Sequence, residues 1–194
     1  MITTDNLARK FENKTVLEKF SYTFTGGCYC VLGPNGSGKS TLLKILAGLD
    51  SEYGGSVSLP ENNNTKRTYL PDVPKYHPFI KGREFLEMVS KIRGIDLKKY
   101  LDRFAEDFKL HEILDLKLEE LSLGQTKRLF CCITLIDEAP IWVLDEPSNG
   151  LDKVSRKRLI KSILDDTSNG GIVIMSEHNA QKLREIGEYH KIDI

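Results

Sequence analysis

The sequence predicts an α/β fold in which short buried strands alternate with helices and a helical segment is inserted between two strands. Residues 28–32 and 141–144 are short apolar runs, which are typical of strands covered on both faces. Residues 42–46 repeat apolar side chains at helical spacing, and the run stops at Gly48, a residue that favours a helix end. These observations place a strand and a helix early in the chain and a second buried strand far downstream.

The rest of the chain extends this pattern. Aromatic and polar residues alternate along 20–25, which is the period of a strand with one covered face. Short strands are also predicted at 56–59 and 68–70, with a polar turn at 61–64 between them. From about residue 81 the pattern becomes helical, and one helix is expected to bury a single apolar face made by Phe85, Leu86, Val89 and Ile92.

Further helices and one more strand complete the predicted order. A second helical pattern runs along 97–108, and a third helix is expected to begin near Gly124. After the strand at 141–144, a helix is predicted over about 152–165 and a strand over 172–175. The layout is therefore a β/α core with a helical insert.

Composition indicates a globular protein and excludes several classes. The 194 residues allow one domain, and 40% hydrophobic with 29% charged residues is a folded balance rather than a disordered one. Lys and Arg number 28, as do Asp and Glu, so the formal net charge is zero, which argues against a general nucleic-acid binder. No apolar run approaches the ~20 residues that cross a bilayer, and no secretory signal is expected at residues 1–10.

The four cysteines do not suggest a metal site. Cys28, Cys30, Cys131 and Cys132 lack C-x-x-C spacing, and the histidines are scattered, so zinc is not expected. We expect buried, reduced thiols in a cytosolic protein.

A phosphate-binding pattern follows the first buried strand. Residues 33–40 match G-x-x-x-x-G-K-S, the P-loop, in which glycines let backbone N–H groups point at phosphate oxygens. Lys39 is expected to reach the β- and γ-phosphates, and Ser40 to ligate Mg²⁺. The strand, loop and helix occur in the required order, which disfavours a chance glycine-rich turn. The candidate nucleotide-binding residues of this segment are Gly33, Pro34, Asn35, Gly36, Ser37, Gly38, Lys39, Ser40 and Thr41.

Two acids end the buried strand at 141–144. Carboxylates there are costly unless they face a metal or a reaction. Asp145 is predicted to interact with Mg²⁺, and Glu146 to orient or deprotonate the attacking water. The alternative is an acidic pair that caps the next helix, but the P-loop upstream favours catalysis.

Further segments give the chain a family resemblance. Residues 121–125, Leu-Ser-Leu-Gly-Gln, resemble the L-S-G-G-Q signature of the ATP-binding-cassette (ABC) ATPases, and 147–152 resemble the D-loop of that family. His178 ends a strand as the switch histidine of the family does, and Phe11 stands where the family has an aromatic residue that stacks on adenine. With the motifs in family order, the chain resembles ATPase subunits of bacterial-type ABC transporters over nearly its whole length.

The resemblance implies a fold and a division of the chain. It implies a P-loop NTPase core of the ABC type with an N-terminal antiparallel β region and an inserted α-helical subdomain. One domain is expected over 1–194, with the core at 1–72 and 140–194 and the helical subdomain at about 73–139. No C-terminal regulatory domain is expected.

The resemblance also implies a mechanism that uses ATP and Mg²⁺. Two ATPase subunits, as a homodimer or heterodimer, would close head to tail around ATP. Ser122, Gly124 and Gln125 would contact the γ-phosphate bound by the other subunit, while His178 would contact the γ-phosphate in its own subunit and hold Glu146. The alternatives are an ordinary helix N-cap for Ser122, which is compatible with this role, and a surface histidine for His178.

The expected partners are separate transmembrane permease subunits and no nucleic acid. The protein would lie in the cytoplasm, peripheral on the cytoplasmic face of the membrane. The segment at 75–81, which carries Tyr76, His77 and Phe79, is the candidate docking surface for a permease. The alternative is that these aromatic side chains pack on the helical subdomain.

The sequence departs from the family at two positions. Leu123 replaces the first glycine of the signature pair, which predicts a reduced rate rather than inactivity, because a side chain there either crowds the partner's phosphate or restricts the backbone. Asp72 stands where the family has its Q-loop glutamine, and it is either a Mg²⁺ ligand through water or a solvated loop acid.

Two other functions fit an ABC-type chain. A soluble ABC ATPase of ribosomes or DNA ranks low, because the translation-factor type carries two cassettes and the chromosome type carries long heptad helices in the insert. A nucleotide-responsive regulator with weak ATPase activity is the other alternative, and it is suggested by Leu123 and Asp72.

Overall fold

The computed structural model describes residues 1–12, 14–59, 66–136 and 139–194. In chain order the strands and helices are β1 (Ile2–Phe11), β2 (Lys14–Phe24), β3 (Gly27–Leu32), α1 (Lys39–Ala47), β4 (Gly54–Ser58), β5 (Arg67–Leu70), α2 (Gly82–Arg93), α3 (Leu97–Phe104), α4 (Leu123–Ile136), β6 (Ile141–Leu144), α5 (Lys153–Ser168), β7 (Ile172–Ser176), α6 (Ala180–Ile186) and β8 (His190–Asp193).

The strands form two sheets. A three-stranded sheet has the order β2-β1-β4, and both of its strand pairs are antiparallel. A five-stranded sheet has the order β5-β6-β7-β3-β8, in which β6, β7, β3 and β8 run parallel to one another. The expected α/β fold with an N-terminal antiparallel β region is confirmed.

The centre of the parallel sheet is apolar because its strands are covered on both faces. Every residue of β6 and of β7 is buried, as the continuous apolar runs predicted. Helix α1 buries four apolar side chains, and it ends at Gly48, whose φ of +76° is readily adopted by glycine. Because β6, β7, β3 and β8 are parallel, their carboxyl ends lie at one edge of the sheet.

The chain divides into two compact units. The first consists of Met1–Tyr69, Ala139–Pro147 and Ile163–Ile194, and the second of Leu70–Glu138 and Ser148–Ser162. The first unit contains the antiparallel sheet, α1 and most of the parallel sheet, and the second contains α2, α3 and α4. The assignment of 1–72 and 140–194 to a nucleotide-binding core and of 73–139 to a helical subdomain stays a prediction.

Some local expectations differ from the structure. Ile92 was expected on the inner face of α2, but it is 76% exposed, and Leu86 is the large apolar side chain that the helix buries fully. Phe108 is buried, but it lies in the turn after α3 rather than in the helix. The turn predicted at 61–64 lies outside the described residues.

Candidate functional site

Glycines shape the loop between β3 and α1. A Cβ atom on Gly33 would overlap the backbone oxygen of Ile194 and lie 2.6 Å from Ser37 Oγ. Gly38 has φ of +104°, and a Cβ atom there would lie 2.5 Å from Val16 O. Because an L side chain at either position would clash with backbone, the tight loop requires glycine at both.

Lys39 begins α1 with its ammonium group turned back into this loop. Its Nζ donates hydrogen bonds to Gly33 O at 2.8 Å and to Pro34 O at 2.9 Å, and the residue is buried. The Oγ of Ser37 is buried and has no hydrogen-bond partner among the residues that the structure describes. A buried unpaired hydroxyl and an ammonium group at a helix N-terminus fit a bound phosphate.

The other residues of the predicted phosphate site lie around this pair. Pro34, Asn35 and Gly36 are exposed at the tip of the loop. Ser40 is exposed and Thr41 half-buried in the first turn of α1, so the Ser40 hydroxyl is accessible to a cation.

The two acids after β6 are anchored by a serine at the end of β7. Asp145 is buried, and its Oδ1 accepts a hydrogen bond from Ser176 Oγ at 2.7 Å. The same Ser176 Oγ accepts a hydrogen bond from the Glu146 N–H at 2.9 Å. Glu146 has φ of +46°, in the left-handed region that non-glycine residues rarely adopt. Ser176 therefore supports an uncommon backbone conformation at Glu146.

Glu146 and His178 form a direct side-chain pair. His178 Nδ1 lies 2.8 Å from Glu146 Oε1. The side chain of His178 is 62% exposed, whereas that of Glu146 is largely buried. Glu146 Oε2 is buried and has no hydrogen-bond partner within the described part of the chain. The carboxylate thus has one oxygen held by imidazole and one oxygen whose hydrogen-bonding capacity is unused.

Glu177 is a buried acid to which sequence reasoning assigned no role. It is fully buried, and its Oε1 accepts hydrogen bonds at 3.0 Å from the backbone N–H groups of His178 and Asn179. Its Oε2 lies 3.7 Å from Lys182 Nζ, which supplies an opposite charge. Glu177 therefore fixes the backbone that carries His178. A charged residue shortly after the apolar run at 172–175 was the available signal for it.

Several oxygen donors of the first unit suit a divalent cation. Of the predicted Mg²⁺ ligands, Ser40 and Asp145 belong to this unit, and Asp72 belongs to the second. Hydroxyl and carboxylate oxygens are the ligands that Mg²⁺ prefers, so this donor set fits the ion. Glu146, Glu177 and His178 also offer ligand atoms that lie within 4.8 Å of one another.

Phe11 ends β1 with its ring partly in solvent. The guanidinium carbon of Arg9 lies 4.3 Å from the ring centroid, which is a cation–π contact. Arg9 is itself held by ion pairs to Asp50 and Glu52 at 3.0 and 2.9 Å. The ring is 45% exposed and is therefore accessible for stacking.

The signature segment begins α4 with a reciprocal cap. The Gln125 N–H donates to Ser122 Oγ at 3.3 Å, and the Ser122 N–H donates to Gln125 Oε1 at 2.8 Å. Ser122 and Leu123 are exposed, and Leu123 is 62% exposed. A Cβ atom on Gly124 would lie 2.6 Å from Gly150 O, so glycine is needed where α4 meets the loop after β6.

Asp72 is bonded within the second unit. Its Oδ1 accepts a hydrogen bond from Asn149 Nδ2 at 3.2 Å and lies 3.9 Å from Lys127 Nζ. The structure thus brings Asp72 together with two residues that the sequence interpretation did not single out. No sequence signal indicated Lys127, because it stands between two other polar residues, Thr126 and Arg128.

The cysteines are buried and unpaired by disulfides. Burial raises the pKa of the Cys28, Cys30 and Cys131 thiols to about 12, and Cys132 is fully buried. The expectation of buried thiols is confirmed, and the raised pKa suppresses the chemistry of Cys28, Cys30 and Cys131 because the thiolate form is disfavoured.

Comparisons with known proteins agree with this geometry. The model of the ABC transporter family matches residues 17–149, which include the P-loop, the signature segment and the acid pair. The chain belongs to the ABC transporter family. It is an ABC-type ATPase, since the members of this family are ATPases, and Phe11 and His178 lie outside the matched segment.

Individual relatives cover most of the chain. An uncharacterised ABC transporter ATP-binding protein of Methanocaldococcus jannaschii is 31% identical over 95% of this chain and 71% of its own. A cytochrome c biogenesis ATP-binding export protein of Brucella abortus is 33% identical over 90% of this chain and 83% of its own. A solved ABC transporter ATP-binding protein from Pyrococcus furiosus has a TM-score of 0.73 and 28% identity over 100% of this chain and 96% of its own.

These relatives confirm the ABC-type fold of the chain and its ATP-binding class. Among the helices of the described residues, none combines the length and apolar character needed to cross a membrane.

Proposed function

We propose that this ABC ATPase hydrolyses Mg²⁺-ATP as a pair of subunits and thereby drives a separate permease. The observation that carries the proposal is the Glu146 carboxylate, which His178 holds at 2.8 Å through one oxygen while the other is buried without a partner in the described chain. An acid in that state suits the deprotonation of a water molecule that attacks the γ-phosphate.

The phosphate loop binds and orients the triphosphate. Backbone N–H groups of 33–38 and the N-terminus of α1 would face the phosphate oxygens. Lys39 would exchange its bonds to the Gly33 and Pro34 carbonyls for the β- and γ-phosphates. Ser40 and Asp145 would hold Mg²⁺, which supplies charge stabilisation on the phosphate oxygens.

The chemical step is assigned to the side chains at the ends of β6 and β7. As the water oxygen bonds to the γ-phosphorus, the bond to the ADP oxygen breaks, and Glu146 Oε2 takes the proton of the water. His178 keeps Glu146 in place, and Ser176 and Glu177 keep the backbone of the pair in place. Phe11 would stack on adenine with its accessible ring surface.

The signature segment would act on the nucleotide of the second subunit. Ser122 is exposed and caps the N-terminus of α4, which is an anion-binding arrangement. In the proposed head-to-tail pair, Ser122, Gly124 and Gln125 would meet the γ-phosphate bound by the other subunit. The pair would be a homodimer or a heterodimer. It would drive the permease at the cytoplasmic face of a membrane.

Glu146→Gln tests the proposal directly. The amide cannot accept the proton, so we expect ATP hydrolysis to fall at least about 100-fold, in the range of lost general-base catalysis. ATP should then accumulate in a dimer that elutes early in size-exclusion chromatography. Lys39→Ala is the comparison variant, and it should lose both ATP binding in calorimetry and the dimer. Hydrolysis by Glu146→Gln at the wild-type rate would refute the role of Glu146.

One observation favours the second candidate, a nucleotide-responsive regulator with weak turnover. Leu123 is 62% exposed at the signature, where a side chain would crowd the phosphate of the other subunit. The wild-type rate separates the two functions: a regulator would bind ATP and close into a dimer but hydrolyse ATP at about the Glu146→Gln rate, with and without a permease.

A further inference from the structure

A buried lysine joins α4 to the loop that follows β5. Lys127 lies two residues after Gln125, and its side chain is 1% exposed. Its Nζ donates hydrogen bonds to Pro71 O at 2.9 Å and to Asp72 O at 3.1 Å. The helix that carries the signature is thereby bonded to the loop that leads to residues 75–81.

The side chain of Asp72 extends this network to a third segment. Its Oδ1 accepts a hydrogen bond from Asn149 Nδ2 at 3.2 Å, and it lies 3.9 Å from Lys127 Nζ. Asn149 belongs to the loop between β6 and α5. The neighbouring residue, Gly150, lies close to Gly124, because a Cβ atom on Gly124 would lie only 2.6 Å from Gly150 O. The loop therefore touches α4 directly and through Asp72.

The buried ammonium group of Lys127 is best explained by the hydrogen bonds that it donates. Burial of a charged group is unfavourable unless hydrogen bonds and an opposite charge compensate for it. An apolar side chain of similar length, such as methionine, would fill the same space without that cost. Lys127 instead places a cation between two backbone oxygens and the Asp72 carboxylate, a set of contacts that specifies where the loop lies.

We propose that Lys127 is a positioning residue that fixes the signature segment, the loop at 71–72 and the loop at 148–150 as one piece. Asp72 serves in this network as the link to Asn149. The kinetic consequence rests on the proposed function. When a permease displaces the segment at 75–81, the bonds of Lys127 would move Ser122 with it, whereas a flexible loop would leave Ser122 in place.

Hydrogen exchange of the full-length protein without nucleotide tests the network independently of ATP hydrolysis. Lys127→Met removes the ammonium group and keeps the apolar stem. We expect peptides that cover 71–74 and 148–151 to exchange about tenfold faster than in the wild type, because both segments lose a shared anchor. Lys91→Met, which changes an exposed lysine of α2, is the matched control and should exchange like the wild type.

A second variant keeps the test decisive if Lys127→Met fails to fold. Asn149→Ala leaves Lys127 with its carbonyl partners and removes the hydrogen bond to Asp72, so faster exchange at 71–74 is again expected. Wild-type exchange in both variants, or in Asn149→Ala when the other variant does not fold, overturns the proposal.

Steady-state kinetics show whether the network matters for turnover. Lys127→Met should lower kcat about tenfold and change KM for ATP less than about twofold, since other residues form the phosphate loop. An unchanged kcat with faster exchange would overturn the kinetic consequence alone. A wild-type protein without ATPase activity would instead refute the proposed function, while the exchange result would still decide the network.

Discussion

Three consecutive residues at the end of β7 determine how the acids after β6 are presented. The Ser176 hydroxyl donates to Asp145 and accepts from the Glu146 N–H, which alanine could not do. Glu177 ties down the backbone of His178, and His178 in turn holds Glu146. The reactive carboxylate is therefore positioned by side chains of a neighbouring strand rather than by its own loop.

Replacement of Glu177 should separate positioning from binding. Glu177→Ala removes the acceptor of two backbone N–H groups, so we expect kcat to fall about tenfold while KM for ATP stays within about twofold. Glu177→Gln keeps an acceptor oxygen and should recover most of the rate. Steady-state ATPase assays provide both constants.

The control for this prediction is Glu188→Gln, an exposed acid after α6. It should behave as the wild type. If Glu177→Ala raised KM and left kcat intact, Glu177 would serve nucleotide binding instead of the His178 backbone.

For individual residues, the sequence predicts a role only where that role follows from a short, contiguous pattern. The P-loop is a contiguous pattern, and the structure shows why Gly33 and Gly38 must be glycine. The contacts of Glu177, Lys127 and Asn149 were not predictable. They depend on backbone groups and side chains that only the fold brings near, up to 77 residues apart for Asn149 and Asp72.

Among the secondary-structure elements, burial decides which ones the sequence reveals. Strands β3, β6 and β7 are continuous apolar runs and were predicted, as were α1, α4 and α5. Strands β1 and β8 were not individually predicted. β1 has register shifts against both neighbours, and β8 buries one residue of four, so neither shows a regular period. The apolar spacing of α2 extends to Ile92, but the structure leaves this side chain largely exposed.

A carboxyl group in the last turn of α5 should make stability depend on pH. Burial raises the pKa of Asp166 to about 6 from its ordinary value of 3.8. Because the folded state then binds the proton more tightly than the unfolded state, stability falls as pH rises from about 4 to 6 and is constant above that. The carboxyl group is half-buried, so solvent screening limits the cost at neutral pH to roughly 1 kcal/mol.

Asp166→Asn removes this titration. We expect its melting temperature at pH 7 to exceed that of the wild type by about 2–4 °C, and the difference to disappear near pH 4. Asp165→Asn, at the exposed neighbouring position, is the control and should not change the melting temperature. Identical melting temperatures of Asp166→Asn and the wild type at pH 7 would contradict the argument.

For the whole molecule, the motifs are shared between two compact units. The phosphate loop and the acid pair lie in the first unit, whereas the signature and the segment at 75–81 lie in the second. Family membership makes the chain an ABC ATPase, and motif order in the sequence was enough to predict that class. The proposed pairing of subunits and the proposed binding of a permease both require contacts with another chain, so they remain proposals.

The segment at 75–81 offers a testable docking surface. Phe79 is 63% exposed and meets His77 edge-on with 5.7 Å between ring centroids, whereas Tyr76 is half-buried and lies near Phe130. Packing on the helical unit therefore describes Tyr76, whereas docking through His77 and Phe79 stays a prediction. His77 and Phe79 are the pair to test, because Tyr76 also supports the helical unit.

The double variant His77→Ala and Phe79→Ala should lose co-purification with a membrane protein encoded beside this chain, since an exposed aromatic pair is a typical interface anchor. Its melting temperature should match the wild type. Val154→Ala, an exposed apolar position on α5, is the control and should retain the interaction. Full retention by the double variant would place docking elsewhere.

The four buried cysteines have a practical consequence for following subunit closure. Burial keeps their thiols from competing for maleimide reagents, so a cysteine introduced in place of exposed Leu123 would take up a fluorophore selectively in otherwise native protein. Fluorescence transfer between two labelled copies would then report in real time whether adding nucleotide brings these positions together.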